Sequence, residues 1–197
     1  MGEFSHQGCV HLVLKDVDAT EQLGAQLADV AQAGDVIFLS GELGAGKTSL
    51  ARGFLRHYFQ DPALEVPSPS YLICFGYSDE TEADPPIAAP LSSSAPALGR
   101  SLCPRGKARV PGVRVLHLDP YRLPEGRVAG LIDLPSAFIS DVCLVEWPER
   151  LGSQLRLQLS ERRWWVVLNR ADEVTCERVA QQVGRLSTVN TGQPLHA

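Results

Sequence analysis

The chain has 197 residues, 44% hydrophobic and 21% charged, which predicts one soluble globular domain with a buried core over residues 1–187 and a loose C-terminal tail at 188–197. The formal net charge of −5 argues against general binding of nucleic acid phosphates, and no apolar run approaches the roughly 20 residues of a membrane span. Five scattered cysteines lack zinc-site spacing and favour reduced thiols in an intracellular protein.

The first 40 residues predict a strand, a helix and a second strand. Residues 10–14 suggest a short edge strand, and residues 18–34 have the apolar spacing of a helix. Asp18 and Glu21, three residues apart, resemble a capping box at its start. Residues 35–40 form a compact apolar run with β-branched residues, which is typical of a buried strand.

An amphipathic helix is predicted after a glycine-rich turn. Leu50, Phe54 and Tyr58 recur every four residues within 49–59, which places them on one helical face. Residues 66–77 then predict a loop followed by a strand.

Residues 79–112 differ in composition from the rest of the chain. They hold six of its 14 prolines and few large apolar residues, so we expect a long flexible insertion that contributes nothing to the core. Its second half and the two residues that follow carry basic side chains with no acid between them. We interpret these as a solvated loop or, alternatively, as a contact with RNA or an acidic partner: Arg100, Arg105, Lys107, Arg109 and Arg114.

The remainder alternates again between strand and helix patterns. Residues 135–141 predict a helical turn and residues 172–186 a closing helix. Strand patterns lie at 113–119, 141–147, 155–160 and 164–169. The last two are so close that they demand a hairpin. The fold class expected is therefore α/β, a three-layer domain with a mixed, mostly parallel sheet.

Residues 41–48, GELGAGKT, match the phosphate-binding pattern in its proper setting, between a strand and a helix, so the α/β domain is expected to be P-loop NTPase-like. Glycines let successive N–H groups face phosphate oxygens, and the helix N-terminus adds a positive dipole end. We therefore predict ATP and Mg²⁺ as ligands, with the lysine on the β- and γ-phosphates and the threonine hydroxyl on the metal. The predicted loop contacts are Gly41, Gly44, Ala45, Gly46, Lys47, Thr48 and Ser49.

A phosphate site of this kind also needs a carboxylate for the metal, at the end of a neighbouring strand. Asp119 and Glu146 each follow an apolar strand pattern, so both should emerge at the edge where ligands bind in open α/β sheets. The pattern leaves open which of them serves the metal. Glu42, inside the loop, is expected to face solvent.

Four motifs in a fixed order carry a family resemblance: GELGAGKTSLARGF at 41–54, SPSY at 68–71, HLDPYRL at 117–123 and CLVEWPE at 143–149. Together they resemble the TsaE (YjeE) family, the small ATPase required for bacterial-type tRNA threonylcarbamoyladenosine synthesis. The resemblance implies that Lys47 and Thr48 hold the phosphates and Mg²⁺, that Glu146 is the second metal carboxylate, and that Asp119 orients water or the metal shell near the γ-phosphate.

The resemblance also implies roles for residues outside the phosphate loop. Ser68 and Ser70 would lie in a switch-like, nucleotide-responsive segment, and Trp147 would be a functional aromatic residue beside the metal carboxylate or else a packing residue. Tyr121 and Arg122 would face a partner or phosphate, or brace the loop. Residues 17–20 are a weak candidate for an adenine contact.

By resemblance, the protein would be an accessory ATPase that acts on TsaD-like and TsaB-like partners, touches tRNA only indirectly and does not bind membranes. We expect a cytoplasmic location or, alternatively, an organelle of a eukaryote. The P-loop alone also fits a small-molecule or nucleoside kinase, or a nucleotide switch with little turnover. The recovery of γ-phosphate as free phosphate or on an acceptor separates the first two.

Overall fold

The computed structural model describes residues 9–79, 99–153, 163–168 and 173–179. In these residues one sheet contains β1 (Cys9–Val13), β2 (Val36–Gly41), β3 (Cys74–Tyr77), β4 (Gly99–Leu102), β5 (Val115–Leu118), β6 (Val142–Glu146), β7 (Arg163–Leu168) and β8 (Glu173–Val179). The helices are α1 (Val17–Val30), α2 (Lys47–Tyr58) and α3 (Leu134–Ser140), and 3₁₀ turns lie at Pro69–Tyr71, Arg127–Gly130 and Pro148–Leu151. None of the described helices is long and apolar enough to cross a membrane.

The sheet is mixed, with the strand order β1-β8-β7-β2-β6-β5-β3-β4. Its central strands β7, β2, β6 and β5 are parallel, as are β3 and β4, whereas β1, β8 and β3 run antiparallel to β8, β7 and β5 respectively. Leu39 of β2 pairs with Glu146 of β6, and Leu118 of β5 pairs with Val145. The carboxyl ends of β2, β6 and β5 therefore meet at one edge, and the predicted α/β fold class is confirmed.

Helices cover both faces of this sheet. The apolar face of α2, predicted from Leu50, Phe54 and Tyr58, is fully buried in one core cluster with α1. Residues of α3 and of the 3₁₀ turns before and after it pack in a second cluster on the opposite face. Helices α1 and α2 approach closely because Gly24 and Gly53 face backbone carbonyls that a Cβ would overlap. This contact brings the first turn of α1 next to the loop that precedes α2.

The start and end of α1 differ from the prediction. The helix is capped by Asp16, whose carboxylate accepts a hydrogen bond from the Ala19 N–H at 2.7 Å, so the capping box at Asp18 is wrong. Asp16 can serve because its backbone is extended just before the first helical residue. The helix also ends at Val30, four residues earlier than predicted, and the chain turns before entering β2.

The predicted closing helix at 172–186 is wrong where the structure describes it. Residues Glu173–Val179 form β8, which pairs antiparallel with β7 on one side and with β1 on the other. Two ladders of backbone hydrogen bonds outweigh a weak helical spacing, and Val174 and Thr175 suit a strand. The predicted strand at 155–160 and the tail at 188–197 lie outside the described residues. The hairpin predicted between 155–160 and 164–169 is wrong, because β2 and β8 occupy both edges of β7.

The second half of the predicted insertion is part of the folded domain. Gly99–Leu102 forms β4 beside β3, and Ala108 is buried in the core cluster of α1 and α2. The prediction of a segment without core contacts is therefore wrong for residues 99–112, whereas residues 80–98 lie outside the described part. A count of large apolar side chains missed it because the buried residue, Ala108, is small, while Leu102 and Val110 pack against the same cluster partly buried.

Backbone donors fix residues 103–112, which we name the return segment, against the C-terminal end of α2. The N–H groups of Arg105 and Ala108 donate to the carboxylates of Asp61 and Asp79 at 2.9 and 2.8 Å. The Arg109 N–H donates to the Tyr58 carbonyl at 2.8 Å.

The basic run that crosses the return segment is divided. Arg109 forms an ion pair with Asp29 at 2.8 Å and Arg114 forms one with Asp141 at 2.7 Å, whereas Arg105 and Lys107 are exposed. At least two of the five cations thus serve the fold. An RNA or acidic-partner contact at the others stays a prediction.

Candidate nucleotide site

The glycine-rich loop has a backbone that only glycine adopts readily. Gly46 caps α2 with a φ of 101°, and Gly41 leaves β2 with a φ of 144° at a point where a Cβ would overlap the Leu168 carbonyl. The Ala45 N–H donates to the Glu42 carbonyl at 3.1 Å and closes the turn. The loop therefore leads directly into the N-terminus of α2, the arrangement that favours an anion.

Lys47 is buried, and its side chain folds back onto the carbonyl groups of this loop. Its Nζ donates to the carbonyls of Gly41 and Glu42 at 2.7 and 2.8 Å and stands 3.8 Å from the centroid of the Trp147 ring. Burial lowers the pKa of Lys47, while the negative charges of Glu146 and Asp119 oppose part of that effect. Its partners in contact are neutral, so the ammonium charge is available to an anionic ligand.

Thr48 and Glu146 are brought together from opposite parts of the chain. The Thr48 hydroxyl, in the first turn of α2, donates to Glu146 Oε1 at 2.8 Å. Glu146 is the last residue of β6, and only 3% of it is exposed. A hydroxyl and a carboxylate on adjacent elements are oxygen ligands of the kind that Mg²⁺ prefers.

Asp119 lies at the same edge, one strand away. It follows β5, and the pairing of Leu118 with Val145 sets it level with Glu146. Its carboxylate accepts the Tyr121 N–H at 3.0 Å. Burial raises the pKa of Asp119, the Tyr121 hydrogen bond acts in the opposite direction, and the Glu146 charge adds to the rise. Two carboxylates at one edge of the sheet would attract a cation, and which of them contacts a metal stays a prediction.

Aromatic residues border the loop. Trp147 has a left-handed backbone, with a φ of 53°, and its half-buried ring packs on Tyr121 with centroids 4.6 Å apart. Arg122 lies over the Tyr71 ring at 4.5 Å, so the loop after β5 contacts the turn before β3. Tyr121 and Arg122 thus contact neighbouring loops, and their role toward a partner or phosphate stays a prediction.

The remaining predicted contacts lie around this edge with less direct geometry. The hydroxyls of Ser68 and Ser70 are 2.8 Å apart at the turn before β3. Ser49 lies in the first turn of α2. Among residues 17–20, the Thr20 methyl group lies 3.5 Å from where a Cβ on Gly46 would stand. Nucleotide contacts for these residues stay predictions.

His117 was not assigned a role from the sequence, yet it contacts the predicted metal carboxylate. Its Nε2 lies 2.9 Å from Glu146 Oε1, and none of the residue is exposed. The available signal was a single polar side chain inside the apolar strand VLHL.

A Mg²⁺ ion would find few protein ligands here. The part of the chain that the structure describes contains no cluster of three or more His, Cys, Asp or Glu residues able to hold a metal. Thr48 and Glu146 fit a magnesium ion that is bound mainly through substrate phosphates and water, the usual case for this metal.

The sheet order, the covering helices and the loop between β2 and α2 define the protein class as an α/β domain with a P-loop NTPase-like fold. The fold is similar to that in the crystal structure of Bacillus subtilis YdiB, with a TM-score of 0.59 and 22% sequence identity. That comparison covers 95% of this chain and 99% of YdiB.

Sequence comparisons narrow the class to a family. Residues 14–88 match the profile described as "Threonylcarbamoyl adenosine biosynthesis protein TsaE". Two proteins named "tRNA threonylcarbamoyladenosine biosynthesis protein TsaE" are similar: that of Streptomyces coelicolor is 33% identical over 78% of this chain and 84% of its own, and that of Mycobacterium tuberculosis H37Rv is 30% identical over 91% and 86%. The chain belongs to the TsaE family.

Proposed function

We propose that this protein hydrolyses ATP as an accessory component of tRNA threonylcarbamoyladenosine biosynthesis. The observation that carries the proposal is the 2.8 Å hydrogen bond between Thr48, at the start of α2, and Glu146, at the end of β6. It joins a phosphate-binding loop to a carboxylate at the edge where ligands bind in open α/β sheets. The names of the family and of its bacterial relatives supply the pathway and favour a cytoplasmic location.

Each site residue has a role that its position supports. Lys47 would move from the loop carbonyls to the β- and γ-phosphates, with little cost because those carbonyls are neutral partners. Thr48 and Glu146 would hold Mg²⁺, which neutralises charge on the phosphates when bound. Asp119 would orient the attacking water, since it lies at the same edge as Glu146 and accepts a hydrogen bond from the Tyr121 N–H, whereas Thr48 donates to Glu146.

Partner binding is proposed for the same edge of the sheet. Large apolar side chains are exposed on the elements that border the site, and on a monomer such groups commonly mark interaction surfaces. They are Leu43, Tyr71, Leu72 and Tyr121. A TsaD-like protein, with its TsaB-like companion, would therefore sense the nucleotide directly, and tRNA would be reached only through that complex.

Phosphate release tests this function. The purified chain is incubated with γ-labelled ATP and Mg²⁺, alone and with candidate TsaD- and TsaB-like proteins, and the label is followed. Free phosphate that increases with the partners supports the proposal. Label recovered faster on a nucleoside or another small hydroxyl compound would make the protein a kinase instead.

A further inference from the structure

His117 stands alone as a polar side chain within β5. Its neighbours Leu116 and Leu118 belong to the core on the α3 side, whereas its imidazole reaches Glu146 on the opposite face. The residue is completely buried, and burial of a polar group is costly unless it forms a hydrogen bond. One bond to one carboxylate oxygen is therefore the interaction that accounts for a histidine here.

The surroundings of the imidazole also indicate which of its two ring nitrogens carries the proton. His117 Nδ1 is buried without a hydrogen-bond partner among the described residues. A proton on Nδ1 would leave a buried donor unpaired and would set the lone pair of Nε2 against Glu146 Oε1 at 2.9 Å. The neutral tautomer that avoids both costs carries its proton on Nε2 and donates to Glu146.

Two donors consequently converge on one oxygen of Glu146. Thr48 Oγ1 approaches Oε1 at 2.8 Å and His117 Nε2 approaches it at 2.9 Å, from α2 and β5 respectively. The buried ammonium of Lys47 also attracts this carboxylate. A glutamate side chain held only by Thr48 could turn toward Lys47 and form an ion pair with it. The carboxylate would then not face the metal, and the ammonium would not face the phosphates.

We propose that His117 is a positioning residue that holds Glu146 Oε1 beside Thr48 and thereby sets the affinity of the site for Mg²⁺. The proposal rests on the nucleotide site described under the proposed function. His117 touches neither metal nor nucleotide in this role. It acts through the orientation of a carboxylate, as groups that hydrogen-bond to metal ligands generally do.

The test compares three His117 variants by the Mg²⁺ concentration that each needs to bind a nucleotide. His117→Phe fills the space without a donor, His117→Gln can place an amide donor near the position of Nε2, and His117→Asn places its amide nearer Nδ1. Binding of a non-hydrolysable ATP analogue is measured by calorimetry across Mg²⁺ concentrations. We expect His117→Phe and His117→Asn to raise the half-saturating Mg²⁺ concentration about 10–100-fold, the usual effect of removing such a partner, and His117→Gln to restore most of it.

Val115→Ala is the matched control. Val115 is fully buried on the same strand and, unlike His117, lies in the apolar cluster of α1 and α2, so its truncation weakens packing without removing a donor. Thermal melting of every variant identifies any that fail to fold. If His117→Phe is among them, the comparison of His117→Gln with His117→Asn decides the question, because both are small polar amides.

A double-mutant cycle separates positioning from general damage. In a Glu146→Ala background, His117→Phe should add no further Mg²⁺ requirement, since the acceptor of the His117 hydrogen bond is already absent. A full additional effect would overturn the proposal, as would a His117→Phe protein no more dependent on Mg²⁺ than Val115→Ala. If the unmodified protein shows no Mg²⁺-dependent nucleotide binding, the proposed function fails and this inference fails with it.

Discussion

The two ends of α2 are built on different principles. At its N-terminus, positive-φ glycines and a buried lysine form the candidate phosphate site, and the sequence motif at 41–48 predicts each of these residues. At its C-terminus the return segment is held by its own backbone N–H groups, which donate to the carboxylates of Asp61 and Asp79, and by buried side chains such as Ala108. Chemistry restricts the residue types that can form the first end, whereas the second depends mainly on backbone contacts and on one glycine, Gly106, where a Cβ would overlap the Phe59 carbonyl.

Substitution of Lys47 should abolish the function of the candidate site at the N-terminus of α2 and leave the C-terminal end of the helix unchanged. Lys47→Ala removes the cation that faces the phosphates, and we expect hydrolysis to fall by at least about 10²–10³-fold, as for other preorganised charges. Thr48→Ala should weaken Mg²⁺-nucleotide binding. Phosphate release and calorimetry measure both effects, and Arg52→Ala, on the next turn of α2, is the control. Unchanged ATPase activity in both variants would refute the site.

Substitution of the two carboxylates tests whether they have different roles in the candidate site at the N-terminus of α2. Glu146→Gln should lose Mg²⁺ and hence nucleotide affinity, because Glu146 contacts Thr48. Asp119→Asn should bind Mg²⁺-ATP normally yet hydrolyse it about 10²-fold more slowly, a loss confined to the transition state. Analogue binding and phosphate release are compared for each variant. Reversed patterns would exchange the roles, and equal losses of binding would make both residues metal ligands.

Deletion of the return segment should break the second end. From composition alone, removal of residues 82–110 would be harmless, but the structure places β4 and Ala108 within that range. We expect a loss of about 2–4 kcal/mol in the free energy of unfolding, from exposed core and lost hydrogen bonds. Removal of residues 87–92 alone, which leaves 15 residues for the crossover between the parallel strands β3 and β4, is the matched control. Equal melting curves for both deletions would contradict the assignment.

A single carboxylate tests how the return segment is attached. Asp61 is buried and accepts hydrogen bonds from the N–H groups of Ala63 and Arg105. Asp61→Ala leaves these donors unpaired and should cost about 1–2 kcal/mol of unfolding free energy without a change in nucleotide affinity. The exposed Glu65, four residues on, provides the control Glu65→Ala. Weakened nucleotide binding in Asp61→Ala would show that the two ends are coupled.

Local patterns in the sequence predicted the elements that local chemistry determines. The buried face of α2 followed from Leu50, Phe54 and Tyr58, and the strand ends at Asp119 and Glu146 followed from apolar runs that stop at a carboxylate. Long-range contacts escaped such patterns.

Strand β8 is the clearest of these missed elements. It is specified by pairing with β1, from the other end of the described chain, and with β7. The role of His117 escaped for the same reason, since its partner Glu146 is 29 residues away and only the adjacent pairing of β5 and β6 brings them into contact.

The central place of β2 has a consequence for biosynthesis. The strand that precedes the glycine-rich loop, β2, is flanked by β6 and β7, both of which follow it in the chain. The carboxylate to which Thr48 donates lies 98 residues further along the chain. Because a ribosome synthesises proteins from the N-terminus, the nascent loop emerges long before either neighbouring strand exists. Pairings so distant in sequence form slowly. A nascent chain that ends before β6 therefore lacks the completed site, and nucleotide capture becomes possible only late in synthesis.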